Sequence, residues 1–321
     1  MPSTSPSGRI LVVRMGAMGD IIHTLPAVAS LKSSFPGWQL AWAVEPRWAP
    51  LLQDNPFVDD LISVRRDGPA AWMESWRGLR KHRFDFAVDF QGLIKSALAA
   101  SAARPARIFG YHQSQVRERA AALFYSDKIK SRSIHIVDRH LDLAASAGAS
   151  NVVRAFPLPA GQPEGELPPE FVLACPLAGW ASKQWPMAHY SALAARLRRE
   201  RGLPLVLNGP PSAGAELARI ADAMPHCTGI PGLIDATRRA TAVIGVDSGP
   251  LHLAAVLGKP GVAIFGPTDP ARNGPYGDSM RVLRSPGATT SYQRRNSADD
   301  GMARISPDEV FEALRAADCL I

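Results

Sequence analysis

The chain has 321 residues, 46% of them hydrophobic and 20% charged, which is too long for one core of ordinary size and too apolar for a disordered polymer. No apolar run reaches the roughly 18 residues that a membrane-crossing helix needs, and the first nine residues carry no secretory core, so a cytoplasmic protein is expected. The net charge of +7 belongs to the first half: residues 1–160 hold 20 Lys+Arg against 13 Asp+Glu, whereas residues 161–321 hold 16 of each.

A strand is expected at 10–14, emptying into Met15-Gly-Ala-Met-Gly-Asp20 and then a helix over 21–35 that Pro36-Gly37 ends. Strands at 39–44, 61–64 and 84–90 alternate with helices at 71–81, 93–103, 114–124 and 138–147. Such alternation argues for a parallel sheet covered by helices on both faces. Five prolines and two glycines between Phe156 and Glu170 leave no room for a regular element, so a linker is expected over 157–170. The alternation restarts with strand 171–175, helix 187–200, strand 203–207 and helix 213–223. Helix 233–240, strand 242–246, helix 250–257 and strand 262–265 follow. Ser306-Pro307-Asp308-Glu309 starts a last helix, expected to run to about Cys319. Cys175, Cys227 and Cys319 form no Cys-x-x-Cys pair and read as ordinary thiols rather than a disulfide framework or a zinc site.

In parallel α/β domains ligands bind at the carboxyl ends of the strands, where helix N-termini offer free N–H groups. Two loops fit. In the first, Gly16 and Gly19 permit a tight turn and close approach, and Asp20 lands at the helix start, where it reads either as a site carboxylate or as a plain capping acid. Glu45, after the second strand, invites a dinucleotide-binding reading and hence an NAD(P)-dependent oxidoreductase. Against it, Gly16-x-x-Gly19 is not Gly-x-Gly-x-x-Gly, and an acid at the helix cap repels a pyrophosphate. The second loop is Asp247-Ser248-Gly249-Pro250-Leu251-His252, where helix N–H groups and an imidazole converge on a place suited to phosphate. Lys183, in Gly179-Trp-Ala-Ser-Lys-Gln-Trp-Pro186 ahead of a helix, is placed to offset charge on a leaving phosphate. Gly266-Pro-Thr-Asp-Pro270 forms a further wall of that pocket. Asp-x-Asp, His-Glu-x-x-His, the Walker lysine motif and Gly-x-Ser-x-Gly are all missing from the sequence.

Five ordered stretches carry a resemblance: Met18-Gly-Asp-Ile-Ile-His-Thr-Leu-Pro-Ala27, Asp89-Phe-Gln-Gly-Leu-Ile-Lys-Ser96, Lys183-Gln-Trp-Pro186, Val246-Asp-Ser-Gly-Pro-Leu-His-Leu-Ala-Ala255 and Phe265-Gly-Pro-Thr-Asp-Pro270. Together they resemble the ADP-heptose:lipopolysaccharide heptosyltransferases of glycosyltransferase family nine, the heptosyltransferase I branch most closely. The resemblance implies a GT-B fold, two Rossmann-like α/β domains facing across a cleft: 1–156 for the acceptor, 171–303 for the nucleotide sugar, and a last helix, 304–321, crossing back to the first domain. It also implies an inverting, metal-independent transfer of heptose from ADP-heptose to the Kdo of a lipid A precursor, with no cofactor. Asp20 takes the place of the family's general base, and Lys183 that of the lysine facing the donor diphosphate. Gly19, Ser182, Asp247, Ser248, Gly249, His252 and Thr268 fall on the donor side, and Gln91, Lys95 and Arg117 on the acceptor side. Glu216, after Gly209-Pro-Pro, is only a loose match to the family's ribose-binding glutamate, a turn too late. A later heptosyltransferase with a heptose acceptor, or a catalytically silent carbohydrate-binding relative, are the competing readings. The basic half then has a phosphorylated, membrane-embedded acceptor as partner and no nucleic acid. The expected location is the inner face of the inner membrane, with Arg65, Arg66, Arg77, Arg80, Lys81 and Arg83 on the anionic lipid side.

Overall fold

The computed structural model describes residues 7–285, 287–288, 290–291 and 300–316. The chain divides into two compact units, Met1–Pro159 and Ala160–Ile321. Each is built on one six-stranded parallel sheet, matching the expected α/β class.

In the first unit the strands are β1 (Arg9–Val13), β2 (Gln39–Val44), β3 (Asp60–Ser63), β4 (Phe86–Asp89), β5 (Arg107–Tyr111) and β6 (Asp127–Ile129), in the order β3-β2-β1-β4-β5-β6. Ile10, Leu11, Val12 and Val13 are fully buried, as central strands covered on both faces must be. The helices are α1 (Met18–Ser34), α2 (Pro69–Arg80), α3 (Ile94–Ala102) and α4 (Ile136–Ser146). Strands β5 and β6 were not expected from the sequence. The helix expected over 114–124 is instead a loop followed by one 3₁₀ turn, Arg119–Phe124. The Gln115 side chain ties that loop to the backbone of Ser131 by two hydrogen bonds of 2.8 and 2.9 Å, and Tyr125 lies flat over Gly110, where any Cβ would collide with its ring.

In the second unit β7 (Val172–Cys175), β8 (Leu205–Gly209), β9 (Ala223–Cys227), β10 (Ala242–Val246), β11 (Gly261–Phe265) and β12 (Met280–Arg284) order as β12-β11-β10-β7-β8-β9. The helices are α5 (Met187–Arg201), α6 (Gly214–Leu217), α7 (Ile230–Arg239), α8 (Gly249–Val256), α9 (Pro270–Asn273), α10 (Asp300–Arg304) and α11 (Pro307–Ala316). The helix expected over 213–223 ends at Leu217. Asp222 adopts a left-handed φ of 61°, which breaks a helix, and the chain turns into β9.

Residues 157–170 hold no regular element, and from Ala160 they fall in the second unit. Gln162 N–H donates to Pro231 O at 3.0 Å, and the Glu164 carboxylate accepts the Gly229 and Gly232 N–H groups at 2.7 and 3.0 Å, capping α7. Val310, Phe311, Ala313 and Leu314 of α11 are buried in the second unit's own core with Trp185, Tyr190 and Leu193, because that apolar stripe fits against α5. The segment to Cys319 lies outside the described residues.

Candidate active site

Both sheets change direction of growth at one place, between β1 and β4 in the first and between β7 and β10 in the second. Such switch points leave an opening at the strands' carboxyl ends, and it is there that the predicted aspartates lie.

At the first switch point β1 delivers Arg14 and the Met15–Ala17 loop, and Asp20 sits in the first turn of α1. Gly16 is required sterically: a Cβ there would lie 2.7 Å from the indole nitrogen of Trp48. The Asp20 carboxylate is fixed from two sides. Ala17 N–H donates to Oδ2 at 3.2 Å, as in the returning half of a capping box. Arg14 pairs with Oδ1 at 2.5 Å. Arg14 is itself buried and donates through Nη1 to Phe90 O at 2.7 Å, so its guanidinium spans from β4 to Asp20. Asp20 keeps 41% of its side chain exposed. It therefore combines fixed direction with open access.

Asp89, wholly buried at the end of β4, organises the loop beside it. Burial pushes its pKa up, and donors from Tyr125 Oη (2.7 Å), Ser96 Oγ (2.7 Å), Gln91 N–H (2.8 Å) and Gly92 N–H (3.3 Å) oppose that shift. Gly92 has a φ of 70°, the left-handed turn that this wrapping demands. The Gln91 side chain accepts Met15 N–H at 2.8 Å and so locks the two loops together. Lys95, in the first turn of α3, and Arg117 are exposed. Glu118 links their loops, accepting Ile94 N–H at 2.7 Å while its own N–H donates to Gly92 O at 3.1 Å. The three predicted acceptor-side residues thus share one loop cluster.

At the second switch point Asp247 follows β10 directly, and loops from the neighbouring strands β7 and β11 close on it. Lys183 Nζ donates to Asp247 Oδ2 at 2.5 Å and Thr268 Oγ1 to the same oxygen at 2.6 Å, while His252 Nε2 lies 3.6 Å from Oδ1. Burial alone would raise the pKa of Asp247; the hydrogen bond from His252 and the charge of Lys183 outweigh it and hold the carboxyl well below the usual carboxylate range. Lys183 also stacks over Trp180, its Nζ 4.4 Å from the ring centroid. Ser248 is the N-cap of α8, yet its hydroxyl caps nothing. The hydroxyls of Ser248 and Ser182 are both buried without a hydrogen-bond partner. Two orphaned donors, a lysine and the free N–H groups of a helix start at Gly249 make an arrangement awaiting an anion with several oxygens.

Seven of the predicted donor-side residues (Ser182, Lys183, Asp247, Ser248, Gly249, His252, Thr268) therefore meet in one place. Glu216 does not join them: it is exposed on the short helix α6 after β8. Gly19 belongs to the first unit, buried in the opening turn of α1. Arg14, Asp89 and Tyr125 were missed. A signal for Arg14 was available, since an arginine closing an otherwise aliphatic buried strand must find a partner. Burial raises the thiol of Cys175 to about 12, which leaves it inert. Among the described residues no group of three or more His, Cys, Asp or Glu side chains gathers in metal-binding fashion, and no helix is long and apolar enough to cross a membrane.

The profile of glycosyltransferase family 9 (heptosyltransferase) matches residues 72–301. Lipopolysaccharide heptosyltransferase 1 of Pseudomonas aeruginosa is 31% identical, covering 86% of this chain and 84% of its own length. The Escherichia coli K12 protein of the same name is 28% identical over 87% of this chain and 94% of its own. The structure of E. coli heptosyltransferase WaaC with ADP superposes with a TM-score of 0.77 at 25% identity, covering 96% of this chain and 99% of that one. The chain belongs to glycosyltransferase family 9, the heptosyltransferases, and is a glycosyltransferase of GT-B fold.

Proposed function

We propose that this enzyme transfers L-glycero-D-manno-heptose from ADP-heptose to the Kdo of a lipid A precursor in lipopolysaccharide inner-core synthesis, with inversion and without a metal. The observation that carries the reading is the Asp247 cluster. Its buried carboxylate keeps one oxygen on Lys183 and Thr268 and the other towards His252, so Lys183 retains two ammonium hydrogens for the donor's diphosphate. Ser182 Oγ, Ser248 Oγ and the N–H groups at Gly249 complete a cradle for the remaining oxygens.

In this reading Asp20 is the general base. It removes the proton from an acceptor hydroxyl as that oxygen attacks the anomeric carbon. The bond to the diphosphate breaks on the opposite face, ADP leaves with the electron pair, and the carboxylate holds the proton. Arg14 fixes the carboxylate's direction, and Lys183 meets the charge that grows on the departing phosphate. Gln91, Lys95 and Arg117 receive the acceptor, Thr268 steadies the Asp247 side, and Glu216 is left for the adenosine ribose. The names of the relatives, lipopolysaccharide heptosyltransferase 1, support the heptosyl donor and the first acceptor. A lipid-borne acceptor puts the enzyme on the inner face of the inner membrane, held peripherally by anionic lipid.

The test is to incubate the protein with ADP-heptose and Kdo-lipid A in a chelator and to measure ADP release and the mass of the lipid product. The reading expects stoichiometric ADP and one added heptose. Transfer only to an acceptor that already carries heptose, or release of ADP only when a metal is restored, would overturn the corresponding part.

A further inference from the structure

Three of the six basic residues expected at the membrane have partners within the first unit. Arg65 pairs with Asp67 (2.8 Å), Arg66 with Glu45, and Arg80 stacks on Trp76 at 4.3 Å. A different surface of the first unit has its charge free and an apolar tip among it. The 3₁₀ turn Arg119–Phe124 buries its small residues, Ala121 and Ala122, in the core with Ala97 and Ala100 of α3. Its two large apolar residues face solvent instead: Leu123 is 82% exposed and Phe124 37%. This inverts the usual order, in which the bulky side chains of a surface turn go inward.

The charge around that tip has one sign. Arg117 and Arg119 precede it, and Lys128, Lys130 and Arg132 follow it; all are exposed, and none makes an ion pair among the described residues. The acids in the same stretch are already engaged, Glu118 on Ile94 N–H and Asp127 on Arg107. Gln115 fastens the two flanking loops to each other, so the basic groups keep a fixed relation to the turn.

The geometry points to Leu123 and Phe124 as an interfacial wedge that enters an anionic lipid bilayer while the flanking arginines and lysines lie on its headgroups. Apolar side chains add their burial in the acyl boundary and each nearby basic residue adds attraction to anionic lipid, so neither needs to suffice alone. The purpose of this surface rests on the lipid-borne acceptor proposed above, but its physical basis does not.

The experiment uses the full chain and vesicles free of acceptor sugar, made of phosphatidylcholine with or without phosphatidylglycerol. The native protein should co-sediment with the anionic vesicles only, and salt should release it. Replacing both apolar residues (Leu123→Ser with Phe124→Ser) should lower that partition by about 30-fold and leave the thermal melt unchanged. Arg119→Gln with Lys128→Gln should lower it by about 10-fold. In Phe124→Trp the emission should shift to the blue on adding anionic vesicles. Equal partition of the Leu123→Ser/Phe124→Ser variant and the native protein would overturn the proposal. So would a concentration-dependent dimer that this variant abolishes, since the tip would then cover a second copy. Because these vesicles hold no substrate, failure here leaves the transfer reaction untouched. Transfer to a water-soluble, acyl-free acceptor, which the wedge variant should retain, tests the reaction separately.

Discussion

Each unit places an aspartate just beyond a central strand at the switch point, Asp20 in the first turn of α1 and Asp247 on the loop after β10, and the two have opposite surroundings. In the first unit Asp20 is 41% exposed, with one oxygen on a buried arginine and the other on its own helix's N-cap. In the second, Asp247 is 7% exposed and is enclosed by lysine, threonine and histidine. A carboxylate that must accept a proton from a substrate needs access; one whose lone pairs are already shared among three side chains serves to arrange them. The exposure of Asp20 suits the base proposed above, and the enclosure of Asp247 suits an organiser.

The comparison breaks most visibly at Asp20. Asp20→Ala should lower transfer by about 10³- to 10⁴-fold, measured as initial rate of ADP release at saturating donor. Lys183→Ala should cost about 10²- to 10³-fold and, unlike the change at Asp20, weaken ADP binding. Asp247→Ala leaves Lys183 without its buried partner and should destabilise the second unit by about 3 kcal/mol in a denaturant melt. The sign with pH follows from the lowered pKa of Asp247. Its contribution to stability is full above the unfolded carboxyl value of about 4 and declines only as pH falls towards the depressed folded value. The stability gap between native protein and Asp247→Asn should therefore stay flat from neutrality down to mild acid and close below it; a gap that closes near neutrality would break the account.

Smaller effects sharpen the same contrast. Arg14→Met removes the clamp on Asp20 but no contact of the Asp247 cluster, so transfer should fall by about tenfold with ADP affinity unchanged. Arg14→Lys, able to reach only one of Phe90 O and Asp20, should recover part of it. Glu164→Gln weakens the cap on α7 and should cost about 1 kcal/mol in a melt of the whole chain, leaving transfer rates intact.

The sequence made much of this legible, for reasons that differ by region. Aliphatic strands such as β2 and β10 show their full bounds because burial on both faces demands continuous apolar residues. Strands β6 and β9 do not: Asp127–Ile129 is three residues long, and Ala223–Cys227 contains Pro225 and buries only His226 at the sheet's edge. The stretch 114–124 has helical spacing, but Asp89 holds Tyr125 and Gln115 holds Ser131, and these tertiary bonds override local propensity. In the site, the loops that bring Ser182, Lys183, Asp247, His252 and Thr268 together were readable from motif and strand order. The Arg14–Asp20 pair was not, because pairing across a turn depends on which way a buried side chain points.

The division of labour between the two aspartates is tested most directly by titrating ADP calorimetrically into Asp20→Asn and Asp247→Asn and following single-turnover transfer in each. The account predicts that Asp20→Asn binds ADP as the native protein does and fails to transfer, whereas Asp247→Asn loses ADP binding. Loss of ADP binding in Asp20→Asn, with transfer preserved in Asp247→Asn, would contradict it.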